Sequence, residues 1–147
     1  MSEKTLRKYI SQGLKKHGKL SQIESHATSV GFPDTHYCLD GREGVIELKY
    51  WSLKKEYAIR KTQIAWLRDY LKANGKRAWL LTLREYMGEK VYMLIHVNDH
   101  NLKVMQSTGE HVRWELIARH TWSRNVDFDQ LADLLKFNAM NNGDKNV

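Results

Sequence analysis

The dipeptide Asp40-Gly41 constrains this chain more than any other feature, because it is a strong sequence signal for a two-residue β-hairpin turn. A type I′ turn needs positive φ at both central residues, and Asp followed by Gly adopts such angles readily. If these residues form the loop, Asp34 lies opposite Glu47 on one face of the hairpin. Lys49 comes two residues after Glu47, so strand alternation returns it to that face. The sequence therefore predicts two carboxylates and one ammonium group at the open end of a hairpin.

The opposite face of this hairpin is predicted to be the core side, because it carries four apolar residues, Tyr37, Leu39, Ile46 and Leu48. The residue before the only proline, Pro33, is pushed toward extended conformations, so the chain enters the first strand directly. One face then serves packing, and the other is available for chemistry.

Two carboxylates about 5 Å apart repel each other when both ionise, and a divalent cation removes that repulsion. Mg²⁺ prefers oxygen ligands and keeps several waters, so Asp34 and Glu47 together with a substrate phosphate would suffice to hold it. Lys49 beside them could orient or deprotonate an attacking water, or offset negative charge on the phosphorane oxygens. The alternative is a charged strand edge with one cross-strand ion pair.

The charge of the chain favours a polyanionic partner, and nucleic acid is the commonest one. Lys and Arg number 24 against 17 Asp and Glu, which gives a net charge of +7. Ordinary solubility charge explains this balance equally well. The candidate phosphate-binding residues are Lys4, Lys8, Lys54, Lys55, Arg60 and Lys61.

The length of 147 residues fits a single domain, which we expect at residues 1–140, followed by a frayed polar tail at residues 141–147. No apolar run is long enough to span a membrane, and the N-terminus lacks the apolar segment of a secretory signal. The single cysteine, Cys38, excludes an internal disulfide and fits a reducing compartment. We therefore expect a cytoplasmic protein without a membrane partner.

The first helix is predicted to begin after Ser2 and to run to about Lys16, with Gly18 marking its end. Glu3 lies in the first turn, where a carboxylate suits the helix dipole. A surface carboxylate is the simpler explanation of Glu3, and an additional acid that reaches the site is the other.

Two further residues are candidate companions of the hairpin carboxylates. Glu24 falls on a predicted strand over residues 20–28, just before the hairpin, where it either approaches Asp34 or remains exposed at an edge. Gln63 falls on the apolar stripe of a predicted helix over residues 57–74, and a buried amide needs a specific partner. A satisfied core amide is the alternative for Gln63.

The rest of the chain predicts an α/β domain with helices packed on a mixed sheet. Residues 78–83 form an apolar run typical of a buried central strand, and residues 91–97 form its partner after a turn at residues 87–89. Further helices are predicted over residues 98–105, over residues 112–118 and after the capping residue Asp127.

The stretch GFPDTHYCLDGREGVIELK resembles the motif of the PD-(D/E)XK nuclease superfamily. More narrowly, QIESHATSVGFPD, then GVIELK, then RKTQIAWLRDYLKANGKRAWLL resemble the VRR-NUC branch, which includes small stand-alone nucleases of phage type. The resemblance covers about residues 22–83 and joins four separated elements.

This resemblance implies a restriction-endonuclease-like αβββαβ core, here with extra C-terminal helices, and makes residues 1–140 a nuclease domain. It implies that Asp34 and Glu47 bind Mg²⁺ or Mn²⁺ and that Lys49 is catalytic, with Glu24 and Gln63 beside them. It further implies a homodimer that acts on branched DNA, in the host cytoplasm if the protein is phage-encoded.

The predicted function is therefore a metal-dependent DNA endonuclease that hydrolyses phosphodiester bonds, with the specificity of a Holliday junction resolvase. A nuclease for flap or linear DNA in repair or restriction is one alternative. A non-catalytic module that binds nucleic acid through the same basic surface is another.

Overall fold

The structure, a computed structural model, describes residues 2–23, 33–52, 60–107 and 114–137. A mixed sheet has six strands whose spatial order follows the chain. These strands are β1 (Gly18–Gln22), β2 (Thr35–Leu39), β3 (Arg42–Trp51), β4 (Ala78–Tyr86), β5 (Glu89–His96) and β6 (His120–Ser123). Neighbours run antiparallel except β3 and β4, whose parallel pairing requires a crossover connection.

Helices lie on both faces of the sheet. The α-helices of the described residues are α1 (Glu3–Gly13), α2 (Lys61–Lys72), α3 (Asp99–Ser107) and α4 (Phe128–Phe137). The order α1-β1-β2-β3-α2-β4 is the αβββαβ core, and β5, α3, β6 and α4 follow it. The predicted α/β class, a mixed sheet flanked by helices with extra C-terminal helices, is confirmed. In the described part of the chain, no helix is long and apolar enough to cross a membrane.

The register of the β2–β3 hairpin follows from its turn, as predicted. Asp40 and Gly41 have φ angles of 50° and 82°, the positive values of a type I′ turn. The pairing of Thr35 with Ile46 is the last one of the ladder, so Asp34 lies one position further, across from Glu47. Both carboxylates therefore face the same side of the sheet.

Each face of the sheet has its own apolar core. The first core packs α1 and α4 against the sheet and includes the predicted core side of the hairpin, Tyr37, Leu39, Ile46 and Leu48. The second core packs α2 and α3 against the other face and includes Val45, Ile64 and Leu102. Glu47 shares strand parity with Val45, so the site lies on the face that α2 covers.

The first helix begins as predicted but is shorter. Ser2 is its N-cap, since Thr5 donates its amide to Oγ of Ser2 at 3.2 Å and accepts from the Ser2 amide at 2.7 Å. The helix ends at Gly13, and the next strand begins at Gly18, where an added Cβ would lie 2.0 Å from the carbonyl oxygen of Cys38. Gly18 is thus a strand residue, because only glycine permits this close strand contact.

The C-terminal part differs from the prediction in two respects. Residues 114–116 form one turn of 3₁₀ helix within the segment expected to be α-helical over residues 112–118. Strand β6 was not predicted, and it extends the sheet by pairing with β5.

The predicted strand over residues 20–28 ends at Gln22 in β1, and residues 24–32 lie outside the described residues. The predicted polar tail lies outside them too.

Candidate active site

Asp34 and Glu47 form the centre of the candidate site. The backbone amide of Asp34 donates a 3.1 Å hydrogen bond to Oε1 of Glu47, which joins the start of one hairpin strand to the middle of the other. The Glu47 side chain is only 7% exposed and that of Asp34 is 23% exposed. Buried carboxylates of this kind need donors, because an unpaired buried charge is very costly.

The Asp34 carboxylate is held by donors from three elements. Oδ1 accepts from the Thr35 hydroxyl at 2.9 Å and from the Leu48 amide at 3.4 Å. Oδ2 pairs with Nη2 of Arg7 on α1 at 3.1 Å, and Nε of Arg7 donates to Thr35 at 3.4 Å. Sequence reasoning missed Arg7 and Thr35. The available signal was the position of Arg7 one helical turn after Glu3 on the basic face of α1.

The Glu47 carboxylate is held by Gln63 and Lys49. Nε2 of Gln63 on α2 donates to Oε2 of Glu47 at 2.8 Å, and Nζ of Lys49 lies 3.4 Å from the same oxygen. Oε1 of Gln63 accepts from the backbone amide of Arg60 at 3.2 Å, so both ends of this buried amide are satisfied. The structure thus brings together Asp34, Glu47, Lys49 and Gln63, all singled out from the sequence.

Both carboxylates titrate above their ordinary range. Burial raises the pKa of Glu47 to about 7, and the negative charge of Asp34 adds to this rise while Lys49 opposes it. Burial also raises the pKa of Asp34, against the hydrogen bond from Thr35 and the Arg7 guanidinium, and the Glu3 carboxylate adds a smaller rise. The folded protein therefore holds these groups in a state that favours a proton or another cation.

The donor set fits a divalent cation that prefers oxygen. Within the described ranges, no three His, Cys, Asp or Glu side chains come together as a preformed metal site. The Asp34–Glu47 pair nevertheless offers adjacent carboxylates whose pKa values are raised mainly by burial, so that the ionised form of each gains from a nearby cation. Mg²⁺ is commonly held by one or two carboxylates plus water and substrate phosphate, and the pair meets that requirement.

The remaining candidate residues lie around this centre or outside the described residues. Glu3 is exposed in the first turn of α1, near enough to raise the pKa of Asp34. The candidate phosphate-binding residues that the structure describes are exposed, with Lys4 in the first turn of α1, Lys8 in its middle, and Arg60 and Lys61 at the start of α2. The candidate acid Glu24 and the candidate phosphate-binding residues Lys54 and Lys55 lie outside the described residues.

Comparisons with known proteins show a similarity to a solved structure but none to a family model or a curated protein. No protein-family model matches this chain, and no curated protein matches it. Among solved structures, the chain is similar to Hjc, a Holliday junction resolvase from the archaeal hyperthermophile Archaeoglobus fulgidus. The two are 12% identical, with a TM-score of 0.49, over 74% of this chain and 84% of that one. The contacts that Asp34 and Glu47 make within this chain are what indicates the chemistry that the site can support.

Proposed function

We propose that this protein is a divalent-metal-dependent endonuclease that hydrolyses DNA and prefers branched DNA such as a four-way junction. The observation that carries the proposal is the contact between the partly buried Asp34 and the buried Glu47, with Lys49 3.4 Å from Glu47. A strand built for packing alone would place an apolar residue at the buried position of Glu47. Carboxylates whose pKa values are raised by burial beside a charged partner are typical of a reaction site.

Asp34 and Glu47 would hold the cation, and Gln63 would fix the orientation of the Glu47 carboxylate through its 2.8 Å hydrogen bond. A bound Mg²⁺ or Mn²⁺ supplies polarisation of a phosphoryl oxygen and a lowered pKa for its water. Glu24 is proposed as a further acid of the site, and Glu3 as an alternative to it.

Lys49 would act on the reacting groups themselves. Its side chain is 20% exposed, so the ammonium group reaches solvent from a strand whose neighbouring carboxylate is buried. From this position it can orient the attacking water and stabilise the negative charge that develops on the phosphorane oxygens. Its contact with Glu47 holds the ammonium group in place before substrate binds.

The DNA would lie across the starts of α1 and α2, which carry exposed lysine and arginine residues beside the site. The net charge of +7 favours such a partner. The preference for branched DNA rests on the resemblance of residues 22–83 to the VRR-NUC branch. Resolution of a junction by two symmetric nicks would require two related sites, so we propose a homodimer.

Cleavage of three DNA substrates with shared sequence tests the proposal: a four-way junction, a flap and a linear duplex, each with Mg²⁺, with Mn²⁺ or with EDTA. We expect the wild-type protein to cut the junction fastest, to need the metal, and to leave nicks on opposite strands. Lys49→Met and Asp34→Asn should abolish cleavage, whereas Lys15→Met, at an exposed lysine beyond α1, should not.

The other outcomes separate the alternatives. Equal or faster cleavage of the flap or the linear duplex would assign the protein to repair or restriction rather than junction resolution. DNA binding by the wild-type protein without cleavage in either metal would contradict the nuclease and leave the non-catalytic binding module.

A further inference from the structure

The tip of the β4–β5 hairpin repeats the backbone of the Asp40-Gly41 turn with a very different residue. Met87 and Gly88 have φ angles of 51° and 81°, against 50° and 82° at Asp40 and Gly41. Asp and Asn tolerate this left-handed backbone, but the longer side chain of methionine disfavours it. The chain therefore carries at this tip a residue that the turn itself does not favour.

The same tip exposes apolar surface. Met87 is 85% exposed, and the preceding Tyr86 is 41% exposed. Among the described residues, the other large exposed apolar side chains are Leu116 and Phe137, and they do not adjoin each other in the sequence. Tyr86 and Met87 thus place an aromatic ring and a thioether chain side by side in solvent at the tip of this hairpin, where a partner can reach them.

A cavity of about 520 Å³ lies beside this tip. The residues that line it come from both strands of the hairpin and its turn, namely Arg84, Tyr86, Met87, Glu89 and Val91. Its volume is in the range of cavities that bind small organic groups. The lining offers one aromatic ring, one thioether chain, one cation and one carboxylate.

The cavity lies on the same face of the sheet as the candidate active site. Lys49 pairs with Thr82 across β3 and β4, and Tyr86 follows Thr82 by four residues on β4. Strand alternation places Tyr86 on the face of Lys49, about 13 Å further along the strand. Glu89 pairs with Tyr86 across β4 and β5, so it lines the cavity from the same face of the sheet. This separation corresponds to about four base steps of a stacked DNA strand.

We propose that this cavity holds an unstacked DNA base from the strand that is cut at Asp34 and Glu47, an inference that rests on the proposed nuclease function. Tyr86 would stack on the base, and Met87 would occupy the gap that the base leaves in its stack. Arg84 and Glu89 would contact the donors and acceptors at the edge of the base. The carboxylate of Glu89 disfavours a phosphate in the same position, so a base is the ligand that suits this lining.

Binding of a four-way junction that carries 2-aminopurine in the cut strand, about four nucleotides from the position of the cut, tests this inference. In Ca²⁺, the fluorescence should rise on binding of the wild-type protein, because 2-aminopurine brightens when it leaves the stack. Tyr86→Ala and Met87→Asn should abolish this rise and weaken junction binding about 5- to 100-fold. Binding of the linear duplex should weaken less.

Three variants serve as controls. Tyr86→Phe keeps the ring and should restore the fluorescence rise and the affinity. Asn at position 87 suits the positive φ, so Met87→Asn should fold at least as stably as the wild-type protein. Leu116→Ser removes another exposed apolar side chain and should change neither quantity.

The outcomes distinguish this inference from the function on which it rests. Wild-type cleavage of the junction together with unchanged fluorescence and affinity in Tyr86→Ala and Met87→Asn would overturn the base-binding cavity alone. Equal losses on the junction and on the linear duplex would also overturn it, because they indicate a general contact to DNA. A wild-type protein that neither binds nor cuts DNA would overturn the proposed function itself.

Discussion

Nε2 of Gln63 donates a 2.8 Å hydrogen bond to Oε2 of Glu47, and this bond ties the first turn of α2 to a carboxylate on the central strand β3. The other end of the same amide accepts from the backbone of Arg60 at 3.2 Å and so caps the helix. One side chain thus holds the start of a helix and the orientation of a candidate metal ligand together.

Replacement of Gln63 by Leu should lower kcat/KM for junction cleavage about 10- to 100-fold, the usual cost of losing a group that orients a metal ligand. Loss of the donor should also raise the pKa of Glu47 further. Because a metal ligand must be ionised, the activity should then increase with pH only at a higher pH than in the wild-type protein. A pH–rate profile of the variant measures both effects. Thr62→Ala, at the exposed neighbour on α2, is the matched control. An unshifted profile would show that Gln63 does not act through Glu47.

Replacement of Glu47 by Gln should stabilise the metal-free protein at alkaline pH. Because the folded pKa of about 7 lies above the ordinary value of 4.5, folding favours the protonated form. The contribution of protonated Glu47 to the free energy of unfolding is fully present below about pH 4.5 and is lost as the pH rises through 7. At pH 8 the variant should exceed the wild-type free energy of unfolding by up to about 3 kcal/mol, as 1.36 kcal/mol per pKa unit implies.

Urea denaturation at pH 5 and at pH 8 in EDTA checks this prediction. Glu43→Gln is the matched control, because Glu43 is exposed on the same strand and its described ion pair is with His36. A stability difference between Glu47→Gln and the wild-type protein that does not grow from pH 5 to pH 8 would contradict the prediction.

Mg²⁺ should raise the melting temperature of the wild-type protein more at pH 8 than at pH 6. Metal binding must displace the proton that Glu47 carries below about pH 7, so the metal affinity falls as the pH is lowered. Calorimetric titration in two buffers with different ionisation enthalpies measures the released proton directly. Asp34→Asn should lose the metal-induced rise. If Mg²⁺ raised the melting temperature equally at both pH values and released no proton, the metal would bind away from Glu47.

Replacement of Arg7 by Met should destabilise the metal-free protein at pH 8 and increase the stabilisation that Mg²⁺ provides. The guanidinium lies 3.1 Å from Oδ2 of Asp34, so it balances the carboxylate when no metal is present and competes with a metal for that oxygen. Thermal denaturation with and without Mg²⁺ measures both changes. Lys15→Met is the control for loss of one positive charge. A reduced metal effect in the Arg7 variant would show that the guanidinium assists the metal.

The hairpin register was predictable because its determinants are local. The angles of Asp40-Gly41 follow from two adjacent residues, and the facing of Asp34 and Glu47 then follows from counting. Gln63 was found because its helical periodicity extends over several turns. These signals lie within a few residues or a few turns of the residues that they position.

Other contacts depend on packing that no local pattern encodes. Arg7 reaches Asp34 across 27 residues, and only the path of α1 over the sheet brings them together. Strand β6 has four residues of which Trp122 alone is buried, so its sequence has too little alternation to identify it. Gly18 was predicted to mark the end of the first helix, because glycine commonly ends helices. In the structure it instead permits a close approach between two strands.

The crossover between β3 and β4 also sets an order of events during synthesis on the ribosome. The hairpin that carries Asp34 and Glu47 emerges before Gln63 and the parallel partner strand. A nascent chain at this stage has two facing carboxylates without the Gln63 donor, so their repulsion weakens the hairpin at neutral pH. Only when α2 docks does the hairpin gain this support. The candidate site is therefore completed together with the fold and not before it.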